Sequence, residues 1–212
     1  IHDFFLSIDL EGKKIAFANS TKRKAKAIWN FASEFDKKCI ILNVPVTYPP
    51  ERIKGVMVSG ILTPSLKSDF TYPRNLKNEL IDMGYEIDIG ETMIEKLFIY
   101  KRDKIGMLSK IRELIRKRTI VAEYLMNEFE WDCFMIVYTA LDRIYHLYWK
   151  YIDPKHIAYD PTTAKLFYPY ILNVHVELDK AIAHLLKLAG KNTNVIIYSD
   201  HGFKPINKIL FT

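Results

Sequence analysis

Glycine and cysteine are scarce in this chain, with 8 and 2 among its 212 residues. So little glycine beside 49% hydrophobic residues excludes a disordered or low-complexity polypeptide. The two cysteines, Cys39 and Cys133, lack CxxC spacing, which excludes a thioredoxin-like redox motif and a cysteine-rich zinc site. Each sits in an apolar run, Cys39-Ile40-Ile41-Leu42 and Cys133-Phe134-Met135-Ile136-Val137, and reads as a buried strand residue. Such thiols fit a cytoplasmic location. No uninterrupted apolar segment approaches the ~20 residues that a membrane helix needs. Charge of one sign is also missing. The 31 basic and 25 acidic residues leave a formal charge of +6, and the cations are spread along the chain. Dispersed lysines read as a solvated surface, and no basic motif is interleaved with aromatics, so no nucleic-acid polymer is expected as a partner. The runs Lys22-Arg23-Lys24 and Arg116-Lys117-Arg118 are expected to face solvent from helices. An initiator methionine is lacking as well: the chain starts at Ile1 and stops at Phe211-Thr212 inside an apolar stretch. That is the expectation for an internal piece of a longer protein, truncated at both ends.

What the chain does contain is alternation. Ala25, Ile28, Trp29, Ala32 and Phe35 have helical spacing and lead into the strand-like run from Cys39 to Val44. Helix followed by short buried strand predicts an α/β layout with a parallel sheet. A proline-stiffened turn comes next, at Pro45, Pro49 and Pro50. Val56 to Val58 reads as a strand and Arg74 to Met83 as a short helix. The stretch from Glu91 to Glu130 is helical, as one helix or as two jointed near Tyr100 to Asp103. The region of about 56–130 is therefore expected to be an insertion or cap outside the sheet. A second buried strand is expected over Cys133 to Tyr138 and a short helix over Leu141 to Trp149. A long helix over Phe167 to Leu188 stops at Gly190, and a third buried strand is expected over Val195 to Tyr198.

Carboxylate and imidazole meet directly after the second and third expected strands. Asp142 and His146 are four apart, so on a helix they stack on one face and can reach a single ion at ~2 Å each. Asp200 and His201 lie in Ser199-Asp200-His201-Gly202, where the glycine permits a sharp exit. Ligands of open parallel α/β sheets bind at the carboxyl ends of strands, where both motifs are placed. Alone, Asp-x-x-x-His reads as a surface pair and Asp-His-Gly as a turn; two in matching positions read as a metal site. Such N/O donors suit zinc or manganese better than calcium. His2, His156, His175 and His184 are read as structural, with His156 the one that borders the site loop.

An ordered set of segments carries a family resemblance. Asn43-Val44-Pro45, Thr47-Tyr48-Pro49-Pro50, Val58-Ser59-Gly60, Thr63-Pro64, Leu141-Asp142-Arg143 with His146, and Ser199-Asp200-His201-Gly202-Phe203 span nearly the whole chain. The set resembles the type I phosphodiesterase/nucleotide pyrophosphatase family of the alkaline-phosphatase-like superfamily, in its archaeal and bacterial form. The resemblance implies a three-layer α/β/α sandwich around a mostly parallel sheet, here as a partial domain over 1–212. It also implies two divalent metal ions, zinc or manganese, one held by Asp142 and His146 and the other by Asp200 and His201. They would lie ~4 Å apart and clamp an in-line displacement at phosphorus. The substrate implied is a small phosphodiester, nucleotide pyrophosphate or related phosphoester. The family's Thr or Ser nucleophile has no counterpart here, nor have its first Asp ligand and its last His ligand, so these residues alone are expected to be inactive. A phosphomutase or sulfatase of the same superfamily, or a non-catalytic binding protein of the same fold, shares these motifs.

Overall fold

A computed structural model describes residues 5–9, 14–89 and 102–205. The expectations for His2, Tyr100, Phe211 and Thr212 lie outside the described residues. The chain divides into two compact units, residues 1–91 with 117–137, and residues 92–116 with 138–212.

The first unit holds the sheet. Strands β1 (Phe5–Asp9) and β2 (Lys14–Phe17) form an antiparallel pair of their own. Strands β3 (Cys39–Leu42), β4 (Gly55–Val58), β5 (Thr71–Tyr72) and β6 (Cys133–Ile136) form a four-stranded sheet in the order β5-β4-β3-β6. β3 pairs in parallel with β4 and β6, while β5 returns antiparallel to β4. The class is α/β, as expected, but the sheet is mixed. β4 and β5 are hydrogen-bonded members of it, so the stretch of about 56–130 is not wholly outside the sheet.

Central position explains why β3 reads as an unbroken apolar run. Cys39, Ile41 and Met57 pack with Trp29 of α1 (Ile28–Glu34) and with Ile53. Ile40, Leu42, Val56 and Val58, on the opposite face, are at most 1% exposed. A strand covered on both faces has no use for polar alternation. Gly55 is required where β4 begins: its φ is +128°, and a Cβ there would lie 2.1 Å from the Cys39 carbonyl oxygen. β6 departs from expectation, being half-buried along its length. It forms one edge of the sheet, so one side of its ladder has no strand among the described residues.

Helix α2 (Leu76–Asp82) and the second half of α3 (Lys104–Glu128) complete this unit. Arg118 of α3 is 2% exposed, against the expectation that its basic run faces solvent. Its guanidinium donates to the carbonyls of Ile87 (2.8 Å) and Val137 (3.1 Å), so the charge is buried where main-chain oxygens need donors. Arg23 departs similarly: it is half-buried and forks onto Glu51 at 2.6 and 2.8 Å.

The second unit contains the first half of α3, α4 (Ala140–Tyr148) and α5 (Pro161–Ala189). Asp160 caps α5 by accepting from the Thr163 amide at 2.8 Å, Pro161 occupies the first turn, and Gly190 ends the helix at φ +76°. Ala164, Phe167, Ile171, Val174, Leu178, Ala181 and Leu185 bury one stripe of it. Arg112 and Arg116 hold Glu177 on this helix at 3.2 and 2.6 Å.

The third expected strand does not form. Val195 to Tyr198 has no ladder partner among the described residues and is 50%, 84%, 70% and 69% exposed, residue by residue. An apolar sequence becomes a strand only when a neighbouring backbone takes its hydrogen bonds and a face covers its side chains.

Candidate metal centre

All four expected ligands belong to the second unit, carried by two different kinds of backbone. Asp142 falls in the first turn of α4 and His146 one turn later. Helical spacing brings Asp142 Oδ1 within 3.3 Å of His146 Nε2. Arg143 Nη1 stands 3.6 Å from the other carboxylate oxygen, Oδ2. Oδ1 is thus left to the imidazoles.

Asp200 and His201 lie on irregular chain. The Ser199 hydroxyl donates to the His201 carbonyl at 2.6 Å and closes the turn. His201 Nδ1 is 3.0 Å from the Gly202 carbonyl oxygen, which can only accept. Nδ1 therefore carries the proton and Nε2 keeps its lone pair. That Nε2 is 3.9 Å from Asp142 Oδ1. Asp142 Oδ1 is the point on which both imidazoles converge. The Asp200 side chain is 84% exposed and stands 3.8 Å from His201 Nε2.

Tetrahedral ligands at ~2.0–2.1 Å from one zinc ion are separated by ~3.3–3.5 Å. The Asp142–His146 separation of 3.3 Å fits that edge, and 3.9 Å to His201 is longer than it. Among the described residues no group of three or more His, Cys, Asp or Glu side chains is arranged to hold an ion as it stands. The donor chemistry and the Asp142–His146 separation fit a metal, and the His201 separation exceeds a tetrahedral edge.

Residues 9–212 match the family model described as type I phosphodiesterase / nucleotide pyrophosphatase. The chain belongs to this family. Membership supports phosphoester hydrolysis in the broad sense. No curated protein and no solved structure gives a match.

The segments around Asn43, Thr47 and Ser59-Gly60 have a structural part in the first unit. Thr47 is 2% exposed; its hydroxyl donates to the Val44 carbonyl (2.6 Å) and accepts from the Gly60 amide (3.1 Å). The Ser59 hydroxyl donates to the Thr47 carbonyl at 3.1 Å. A Cβ on Gly60 would lie 2.4 Å from the Val44 oxygen, so only glycine admits this approach. Asn43, at φ 61°, accepts from the buried Tyr85 hydroxyl at 2.9 Å. Together these bonds clasp the loops that leave β3 and β4.

Sequence reasoning missed the aromatic side chains around the ligands. Phe203 lies against both imidazoles, Tyr145 and Trp149 pack against Phe203, and His175 bonds the Tyr145 hydroxyl. The i, i+4 spacing of Tyr145 and Trp149 was the available signal. His156 makes a local turn, its Nδ1 accepting from the Ala158 amide at 3.0 Å.

Proposed function

We propose that this chain carries the metal-binding part of a phosphodiesterase acting on a small phosphodiester, nucleotide pyrophosphate or related phosphoester. The observation that carries the reading is the convergence of His146 Nε2 and His201 Nε2 on Asp142 Oδ1 in a chain of this family. Asp142 and His146 would hold one divalent ion and Asp200 and His201 a second, zinc or manganese by donor type. When bound, such ions supply Lewis-acid stabilisation of the charge that builds on the phosphoryl oxygens. The chain's own contribution is orientation. Arg143 places its charge 3.6 Å from one oxygen of Asp142 while the other faces the imidazoles, and the Gly202 carbonyl fixes the His201 tautomer that leaves Nε2 free to ligate.

The test is hydrolysis of bis-p-nitrophenyl phosphate and of p-nitrophenyl phosphate by the intact protein, with zinc or manganese and then with chelator. Cleavage that prefers the diester, stops with chelator and falls at least about 100-fold in Asp142→Asn is expected. Chelator-resistant cleavage, or full activity in Asp142→Asn, would overturn the reading.

A further inference from the structure

Among the described residues, the segment before the Ser199–Gly202 turn is exposed and has no strand partner from Val195 to Tyr198. The residue immediately after the turn is held. Phe203 is half-buried, and its ring centroid lies 5.0 Å from His146, 5.1 Å from His201, 5.1 Å from Tyr145 and 6.2 Å from Trp149. It meets Tyr145 and His146 edge-on and stacks on Trp149. These are the preferred geometries of interacting rings. The seat itself is oriented from α5. His175 Nδ1 is 3.0 Å from the Ile171 carbonyl and so carries the proton, which leaves Nε2, 3.1 Å away, to accept from the Tyr145 hydroxyl. Tyr145 also packs edge-on against Trp149 at 5.4 Å.

We propose that Phe203 is a positioning residue that docks the Asp200-His201 turn onto α4, in a seat made by Tyr145 and Trp149 and oriented by His175. The inference rests on the reading of Asp142, His146 and His201 as metal donors. One ligand pair is fixed by helix geometry alone. Among the described residues the other follows an exposed segment, and Phe203, two residues after His201, packs on α4, so its ring would hold His201 beside Asp142. Residues that orient metal ligands without touching the ion commonly control affinity about 10- to 100-fold.

The experiment uses the intact protein and two readouts, zinc affinity by calorimetry and Trp149 emission in the metal-free protein. The Trp149 signal is isolated by subtracting the spectrum of each variant carrying Trp149→Phe. Phe203→Ala is expected to weaken zinc about 10- to 100-fold and shift Trp149 emission to the red, with the urea midpoint unchanged. Phe203→Tyr should restore both. Tyr145→Phe keeps the ring, loses the bond to His175 and should weaken zinc less; it carries the test if Phe203→Ala does not fold. Wild-type zinc affinity and Trp149 emission in Phe203→Ala, with one of the two zinc ions lost in Asp142→Ala, would overturn the docking role and leave the metal reading standing. Normal zinc binding in Asp142→Ala would overturn the metal reading, and Trp149 emission in Phe203→Ala would still decide the docking.

Discussion

Cys39-Ile40-Ile41-Leu42 and Val195-Ile196-Ile197-Tyr198 are nearly the same word written twice, and the protein treats them in opposite ways. The first is a strand paired on both sides, its residues 0%, 1%, 0% and 0% exposed. The second pairs with nothing among the described residues and is 50–84% exposed. The second has, if anything, the higher β-propensity, with Val and Tyr where the first has Cys and Leu. What differs is the neighbourhood: β3 has β4 and β6 beside it and side chains on both faces. Strand formation is settled by partners, and propensity only makes a segment eligible.

Paired substitutions break this comparison most directly. Ile41→Ala should lower the unfolding free energy by about 2–5 kcal/mol, as a fully buried β-branched residue does, and Ile196→Ala by no more than about 0.5 kcal/mol. Urea denaturation of both measures the difference; an equal loss would show that the two segments are equally covered in solution. Thiol labelling asks the same question without unfolding. Burial, and next the nearby Cys133, push the Cys39 thiol up to about 11. An iodoacetamide reaction should therefore be at least about 100-fold slower at Cys39 than at the cysteine introduced by Ile196→Cys. Labelling of Cys39 at the faster rate would contradict its burial.

Two charged side chains of the first unit sharpen the contrast. Arg118→Met should cost about 1–3 kcal/mol for each carbonyl deprived of its donor, those of Ile87 and Val137, by urea denaturation. The smallest effect concerns Glu51, on the loop between β3 and β4. Burial acts to raise its carboxyl, but the hydrogen bonds from Arg23 and Asn30 and the Arg23 charge outweigh it and hold it below the usual 4.5. A carboxyl lowered in the folded state adds stability above its unfolded value, and that stability fades as the pH falls through the folded one. The urea midpoint of Glu51→Gln should thus lie below that of the unaltered protein at pH 7, and the two should converge as the pH drops below about 4.5.

Legibility in the sequence followed the range of the interactions involved. α4 and α5 were readable from apolar spacing and from the Gly190 signal, because helices are specified by residues within a turn or two, but α5 starts at Pro161 and not at the expected Phe167, capped by Asp160. For the same reason the Asp142–His146 pair could be placed from its spacing. The exposure of Val195–Tyr198, the edge position of β6 and the antiparallel return of β5 depend on which strands find one another, information that no window of ten residues contains. Arg118 was misread because a charge run looks solvated until the carbonyls that meet it are known. The seat of Phe203 combines α4, α5 and the tail, and only the first of these has a local signature.

The asymmetry of the sheet has a consequence for how the protein behaves in a crowded solution. On one side β5 is two residues long and runs against its neighbour, which leaves little ladder on which another strand could continue. On the other side β6 ends the sheet with four half-buried residues, and nothing among the described residues pairs with its outer backbone. Such an edge is a template for any extended chain rich in β-branched residues. Among the described residues, growth of the sheet from one strand to the next is therefore blunted on one flank and open on the other, so polar substitutions on the β6 flank should limit any strand-to-strand association more than the same changes beside β5.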